Sequence, residues 1–269
     1  MAISLLNNIT ALEAENQLNQ TSASLQNTLV QLSSGSRLNT GADDPAGLAI
    51  ADSLHANEAE LNQAANNANT GIGLLQTADG SLGQVTNLLD RAITIATEAA
   101  NGGLSTSQLS ALDNEYQSIQ AEISRIGSYT TFNNTNVFTG STTSVFLGSA
   151  ADSVGVTIGT LSATTLALNS TNLTSSANAA TALTAINAAV ETVANSRGTI
   201  GATLNRLTDA QNVLNNQVTN ITAAENLIRS ANIPADVTRE AQLSVLEQTG
   251  VSALSQANSS TQSILRLFQ

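Results

Sequence analysis

The sequence predicts a mainly α fold: a long antiparallel helical bundle or coiled coil, with small β-hairpins at its distal tip and a pair of terminal helices. Three observations carry this. Aliphatic residues recur every seven positions through two long segments, the mark of helices that pack along a seam. Only 2% of the 269 residues are aromatic and Trp is absent, although 41% are hydrophobic. Ala, Leu, Ile and Val must then form the core, and such small side chains suit thin layers of closely spaced helices. The only two prolines, Pro45 and Pro234, stand at the inner ends of the terminal helical patterns.

Residues 1–43 read as an N-terminal helix. Leu18, Leu25, Leu29 and Leu32 form one apolar stripe, preceded by Leu5, Ile9 and Leu12. The stretch "LSSGSRLNTGADDPAGLAI" (32–50) then breaks the pattern with glycine, aspartate and proline. It reads as a joint. Asp43 or Asp44 can cap the orphan amides of a new helix, and Pro45 suits its first position.

Residues 44–129 carry two bundle helices. Leu54, Leu61, Ala68, Leu75, Leu82, Leu89 and Ala96 fall seven apart, with Ala64, Gly71, Ala78, Val85, Ala92 and Ala99 as a companion column. Asn101-Gly102-Gly103 ends that helix. Ser105 and Gln108 form a capping-box pattern before Leu109, Leu112, Tyr116, Ile119, Ile123 and Ile126. Residues 130–176 change character: "SVFLGS", "SVGVTIG" and "TTLALN" are short apolar runs separated by turn residues, which predict small hairpins.

Residues 177–229 mirror the first long helix, with Ile186, Val193, Ile200, Leu207, Leu214, Ile221 and Ile228 seven apart. Residues 230–269 open on a sister joint, "SANIPAD", which contains Pro234, and close with a second terminal stripe. Its apolar positions are Leu243, Leu246, Leu254, Ile264, Leu265 and Phe268. Two facing interruptions let both strands of the rod change direction together.

Composition excludes several classes of function. Eight basic and twenty acidic residues give a net charge of −12, and every basic residue is Arg. This is no electrostatic footprint for nucleic acid or an anionic membrane. No cysteine is present, so no disulfide or thiolate metal site can form. The N-terminus lacks a basic segment followed by an apolar one, so no cleavable secretory signal is expected.

No enzyme site is expected either, and no cofactor or metal. The single histidine, His55, reads as a surface or joint-facing imidazole. Capping explains Asp43 and Asp44 more simply than a carboxylate dyad or calcium ligands. Gly71-x-Gly73 sits in a heptad helix and not after a strand, which argues against a nucleotide loop.

At these residues the chain resembles bacterial flagellin. "LSSGSRLNTGADDPAGLAIAD" (32–52) is similar to the family's N-terminal signature. "SIQAEISRIG" (118–127) with "TTFNNTNVF" (130–138) resembles the segment that ends its second helix. "LSVLEQTGVSALSQANSSTQSILRLF" (243–268) is similar to its C-terminal helix.

The resemblance implies a structural subunit of the extracellular flagellar filament, a helical homopolymer that transmits motor torque. Paired terminal helices would line the inner tube and the central bundle would pack around it. The short middle segment implies a form lacking large outer domains. Implied partners are other copies of the chain, the flagellar export apparatus, a cap protein at the growing tip and a chaperone on the C-terminal stripe.

The segment by which an animal Toll-like receptor recognises many flagellins has its counterpart at residues 90–96. Arg91 is retained there, while Ile93 and Thr94 replace a second Arg and a Glu, which implies weakened recognition. Two alternatives stand beside the main reading: a hook–filament junction protein with similar termini, and a coiled-coil adhesin that presents residues 140–175 to a ligand.

Overall fold

The computed structural model describes residues 8–148 and 152–267. Leu5 and Phe268, and the side chains of Ile264 and Leu265, lie outside what is described. Among the described residues five helices dominate: α1 (Ile9–Ser34), α2 (Pro45–Ala99), α3 (Thr106–Tyr129), α4 (Ser176–Arg229) and α5 (Ile233–Leu267). Between α3 and α4 the described residues form four short strands: β1 (Thr131–Phe132), β2 (Thr135–Asn136), β3 (Thr142–Phe146) and β4 (Ser153–Thr157).

The chain divides into two compact units, residues 58–219 and residues 1–57 with 220–269. These boundaries fall inside α2 and α4, some turns away from the joints where the sequence places its own. The reason is local. The first turns of α2 and the last turns of α4 are bonded to each other and to the joint, and so belong with it.

In residues 58–219, α3 and α4 both run antiparallel to α2. Arg91 on α2 pairs with Glu115 on α3 at 2.7 Å, and Thr130 at the end of α3 reaches Ser81 at 3.4 Å. On the other side Asp79 receives Arg197 of α4 through two bonds of 2.8 and 3.2 Å, and Asn69 accepts from Gln211. The seam positions Ala68, Leu75, Leu82, Leu89 and Ala96 are buried, as are Ala64, Gly71, Ala78, Val85, Ala92 and Ala99. Ile186, Val193, Ile200, Leu207 and Leu214 are buried against them. Leu61 is partly buried against the same core, and Leu54 and Ile221 are partly buried in the other unit.

Helix boundaries follow side-chain chemistry. The α3 capping box forms: Gln108 N–H donates to Ser105 Oγ, and Ser105 N–H donates to Gln108 Oε1 at 2.9 Å. α2 ends on tight turns, Asn101 N–H donating to Glu98 O, and neither Gly102 nor Gly103 takes the left-handed conformation expected of a glycine cap.

The hairpin segment holds two antiparallel pairs, β1–β2 and β3–β4. Residues 164–169, expected as a strand, instead form turns, with Ala167 at φ 55°. Leu168 N–H donates to Ala163 O there, and Leu166 and Leu168 are buried. This loop lies along α3, where Tyr116 Oη meets Thr171 Oγ1 at 2.6 Å and Leu173 N–H donates to Asp113. Burial pushes the Tyr116 phenol up in pKa. Gly127 makes the fit possible, because a Cβ there would collide with the Leu161 carbonyl.

Candidate assembly site

The joint is built from short-range chemistry. α1 ends at Gly35, whose φ of 67° is a left-handed cap. The chain then runs antiparallel to the α4–α5 connection: Ser36 bridges Ser230, Arg37 N–H donates to Arg229 O at 2.7 Å, and Ala231 N–H donates to Gly35 O at 3.0 Å. Ser36 Oγ adds a bond to Arg229 O. The two facing interruptions are therefore one paired structure.

The two aspartates divide the labour. Asp43 accepts from the amides of Thr40 (2.8 Å) and Asn39 (3.0 Å), fixing the turn. Those bonds, Thr40 first, hold its carboxyl below the usual carboxylate range. Asp44 caps α2 by accepting from Gly47 N–H at 2.9 Å, and Pro45 opens the helix. A Cβ on Gly47 would strike the Asp44 carboxylate, so the cap and the glycine come as a pair. Leu38 is buried beside them. On the returning side Pro234 is the second residue of α5, whose Ala235 N–H is capped by Asn232.

A polar cluster clamps α2 to α4. Glu225, buried, receives Arg229 at 2.7 Å, and the same guanidinium reaches Asp52 at 3.3 Å. His55 Nδ1 stands 3.5 Å from the second oxygen of Glu225, with the imidazole largely exposed. The lone histidine thus faces the joint.

α1 and α5 pair antiparallel, their backbones within 8 Å of each other. Asn8 donates to Ala257 O, and a Cβ on Gly250 would lie 3.2 Å from Leu18. Small residues permit the approach. The buried residues of α1 are Thr21 and Thr28, and their hydroxyls bond back to Gln17 O and Ser24 O. Leu18, Leu25 and Leu32 are half-buried at this interface, as are Leu243 and Leu254 on α5.

The rest of the apolar surface points elsewhere. Ile9, Leu12, Leu29 and Val30 of α1 are exposed, and so are Ile233, Val237, Val245, Leu246 and Val251 of α5. At about 100° per residue, Ile233, Val237 and Val251 lie roughly 80–120° to one side of Leu243, Leu246 about 60° to the other, and Val245 behind. Uncovered apolar groups therefore face several directions around one helix. The terminal stripe read as continuous in the sequence splits into a face used within the chain and others left open.

Arg91 sits in the other unit, where its ion pair with Glu115 raises its already high pKa. Beside it Ala92, Ile95 and Ala96 are buried.

Among the described residues no helix is long and apolar enough to cross a membrane. Comparison with known proteins is consistent along the chain. Residues 5–143 match the bacterial flagellin N-terminal helical region, and residues 183–268 match the bacterial flagellin C-terminal helical region. A flagellin of Halalkalibacterium halodurans is 33% identical over 249 residues, 91% of this chain and 92% of its own length. A flagellin of Treponema pallidum is 30% identical over 281 residues, covering 97% and 98%. The crystal structure of Bacillus cereus flagellin aligns with a TM-score of 0.51 at 30% identity, over 60% of this chain and 94% of that one. Matched at both ends and by relatives of its own length, the chain belongs to the bacterial flagellin family.

Proposed function

We infer that this chain, a structural subunit of the bacterial flagellar filament, polymerises by burying the open apolar faces of α1 and α5 against other copies of itself. The observation that carries the reading is the ring of uncovered aliphatic side chains around α5, next to an interface within the chain built on threonines and glycine. An isolated pair of this kind buries little apolar area to offset its ordering entropy. Neighbours on more than one side supply the missing area, which suits a closed tube better than a single file. Folding of the pair and growth of the polymer then become linked equilibria.

In this reading Leu5, Ile9, Leu12, Leu29, Leu246, Ile264, Leu265 and Phe268 pack between subunits, while Leu18, Leu25, Leu32, Leu243 and Leu254 join the pair within one. The filament is extracellular and the chain is secreted to it. The export apparatus, a tip cap and a chaperone covering the C-terminal stripe before export are the partners this requires.

Removal of residues 246–269 tests the reading. The expected result is a bundle that still melts cooperatively but stays in the supernatant after seeding with filament fragments. Normal sedimenting filaments from that truncation would overturn it. The recognition segment yields a second expectation: with Ile93 and Thr94 in place of charged groups, Arg91 alone gives poor activation of the Toll-like receptor. A strong reporter-cell response to dilute protein would contradict this.

A further inference from the structure

The groove between α2 and the two hairpins lies in the unit formed by residues 58–219, which does not contain the open faces of α1 and α5. It encloses about 490 Å³, within the range of small-molecule sites. Its floor is aliphatic, with Leu74, Val137 and Val145, and no charged residue lines it. Its walls carry the rings of Phe132 and Phe146. Aromatic rings are scarce here, four Phe and two Tyr in the whole chain, yet Phe146 stays 43% exposed at the groove's edge.

Around the rings stand polar groups free to bond. The side chains of Asn133, Thr135, Thr143 and Ser144 have no hydrogen-bond partner among the described residues. Their positions are fixed by backbone. Asn133 and Asn134 have φ of 48° and 62° in the β1–β2 turn, and β3 is seated on α2 by Gly71, where a Cβ would lie 2.7 Å from Val145. Phe132 is held against α2 at Gly73, 3.3 Å from the position a Cβ would take. The groove is thus shaped before any ligand arrives.

One exposed ring, Phe146, and one partly buried ring, Phe132, beside uncharged amide and hydroxyl groups match one ligand chemistry: the C–H face of a sugar stacks on a ring while its hydroxyls bond the neutral groups. A net charge of −12 disfavours acidic ligands. We propose that this groove binds a short neutral oligosaccharide, free or carried on a glycoprotein, as a second function independent of polymerisation.

The test is calorimetric titration of the full-length chain with maltotriose and tri-N-acetylchitotriose, with trigalacturonic acid as the anionic comparison. Binding of at least one neutral trisaccharide is expected, with the acidic one much weaker. Phe146→Ala should weaken that binding about tenfold, the loss of one stacking contact. Asn133→Gly, which keeps the left-handed turn, should weaken it several-fold, while Ser170→Ala outside the groove leaves it unchanged. Phe146 and Asn133 are exposed, so both variants should melt like the parent. No binding of either neutral sugar, equal binding of the acidic one, or full affinity in Phe146→Ala would each overturn the proposal.

Discussion

The same heptad spacing has opposite fates in the two units. In residues 58–219 the seam is closed: Leu75, Leu82, Leu89, Ile186 and Leu207 are buried, and among the described large hydrophobics only Tyr129, Phe146 and Val213 remain exposed there. In residues 1–57 and 220–269 the described buried hydrophobics are Leu38 and Ala51, both near the joint, while Ile9, Leu12, Leu227 and Leu246 face outward. One unit completes its core within a single chain and the other does not. An amphipathic pattern states that a face will be buried. It does not state by which molecule.

Matched truncations give the largest test of this contrast. Leu207→Ala empties a fully buried site and should cost about 2–5 kcal/mol of chain stability in denaturant unfolding. Leu246, 54% exposed, should cost less than about 0.5 kcal/mol as Leu246→Ala. Its effect appears in assembly. Losing most of a leucine's buried contact in the polymer is worth about 1.5 kcal/mol, or about tenfold in the critical concentration read by sedimentation. Equal destabilisation of the two chains, or unchanged assembly by Leu246→Ala, would erase the distinction.

The helix caps sharpen it at smaller scale. Asp44 caps α2 in the open unit and Ser105 caps α3 in the closed one. Each is worth about 1 kcal/mol against alanine. Ser105→Ala should lower the bundle's unfolding midpoint. Asp44→Ala should instead speed amide exchange in the first turn of α2 and across the joint, leaving the midpoint nearly unchanged. A shared shift in midpoint from both would mean that the joint unfolds only together with the bundle.

Much of this was legible in the sequence because it rests on periodicity and short-range capping. The Leu54 to Leu89 column, Ser105 with Gln108, and Asp44-Pro45 each depend on residues a few positions apart. What escaped depends on approach between distant segments. Thr21, Thr28 and Gly250 form the α1–α5 interface because they are small, a property that hydrophobic patterning ignores. The 164–169 run has strand composition, yet it turns, and the chain just before it lies against α3, where Gly127 leaves room for the Leu161 carbonyl. The β1–β2 hairpin carried a readable signal in Asn133-Asn134, the residue type that tolerates positive φ in a two-residue turn. Glu225 gave none. Its burial follows from Arg229 one turn away and His55 on another helix.

The finest test concerns the charge on Asp43 in the open unit. Its folded pKa lies below its ordinary value because the amides of Thr40 and Asn39 stabilise the carboxylate. A depressed acid contributes stability that is present above the unfolded pKa of about 3.9 and fades as pH falls through the folded value. The group is exposed, so the effect stays small and local to the turn. Asp43→Asn keeps an acceptor oxygen and removes only the charge. Amide exchange at Asn39 and Thr40 should be faster in this variant than in the parent at neutral pH, and the two should converge once the parent carboxyl is protonated. A difference that persists in acid would assign the effect to shape and not to charge, and Asp43 would then act as a spacer in the joint.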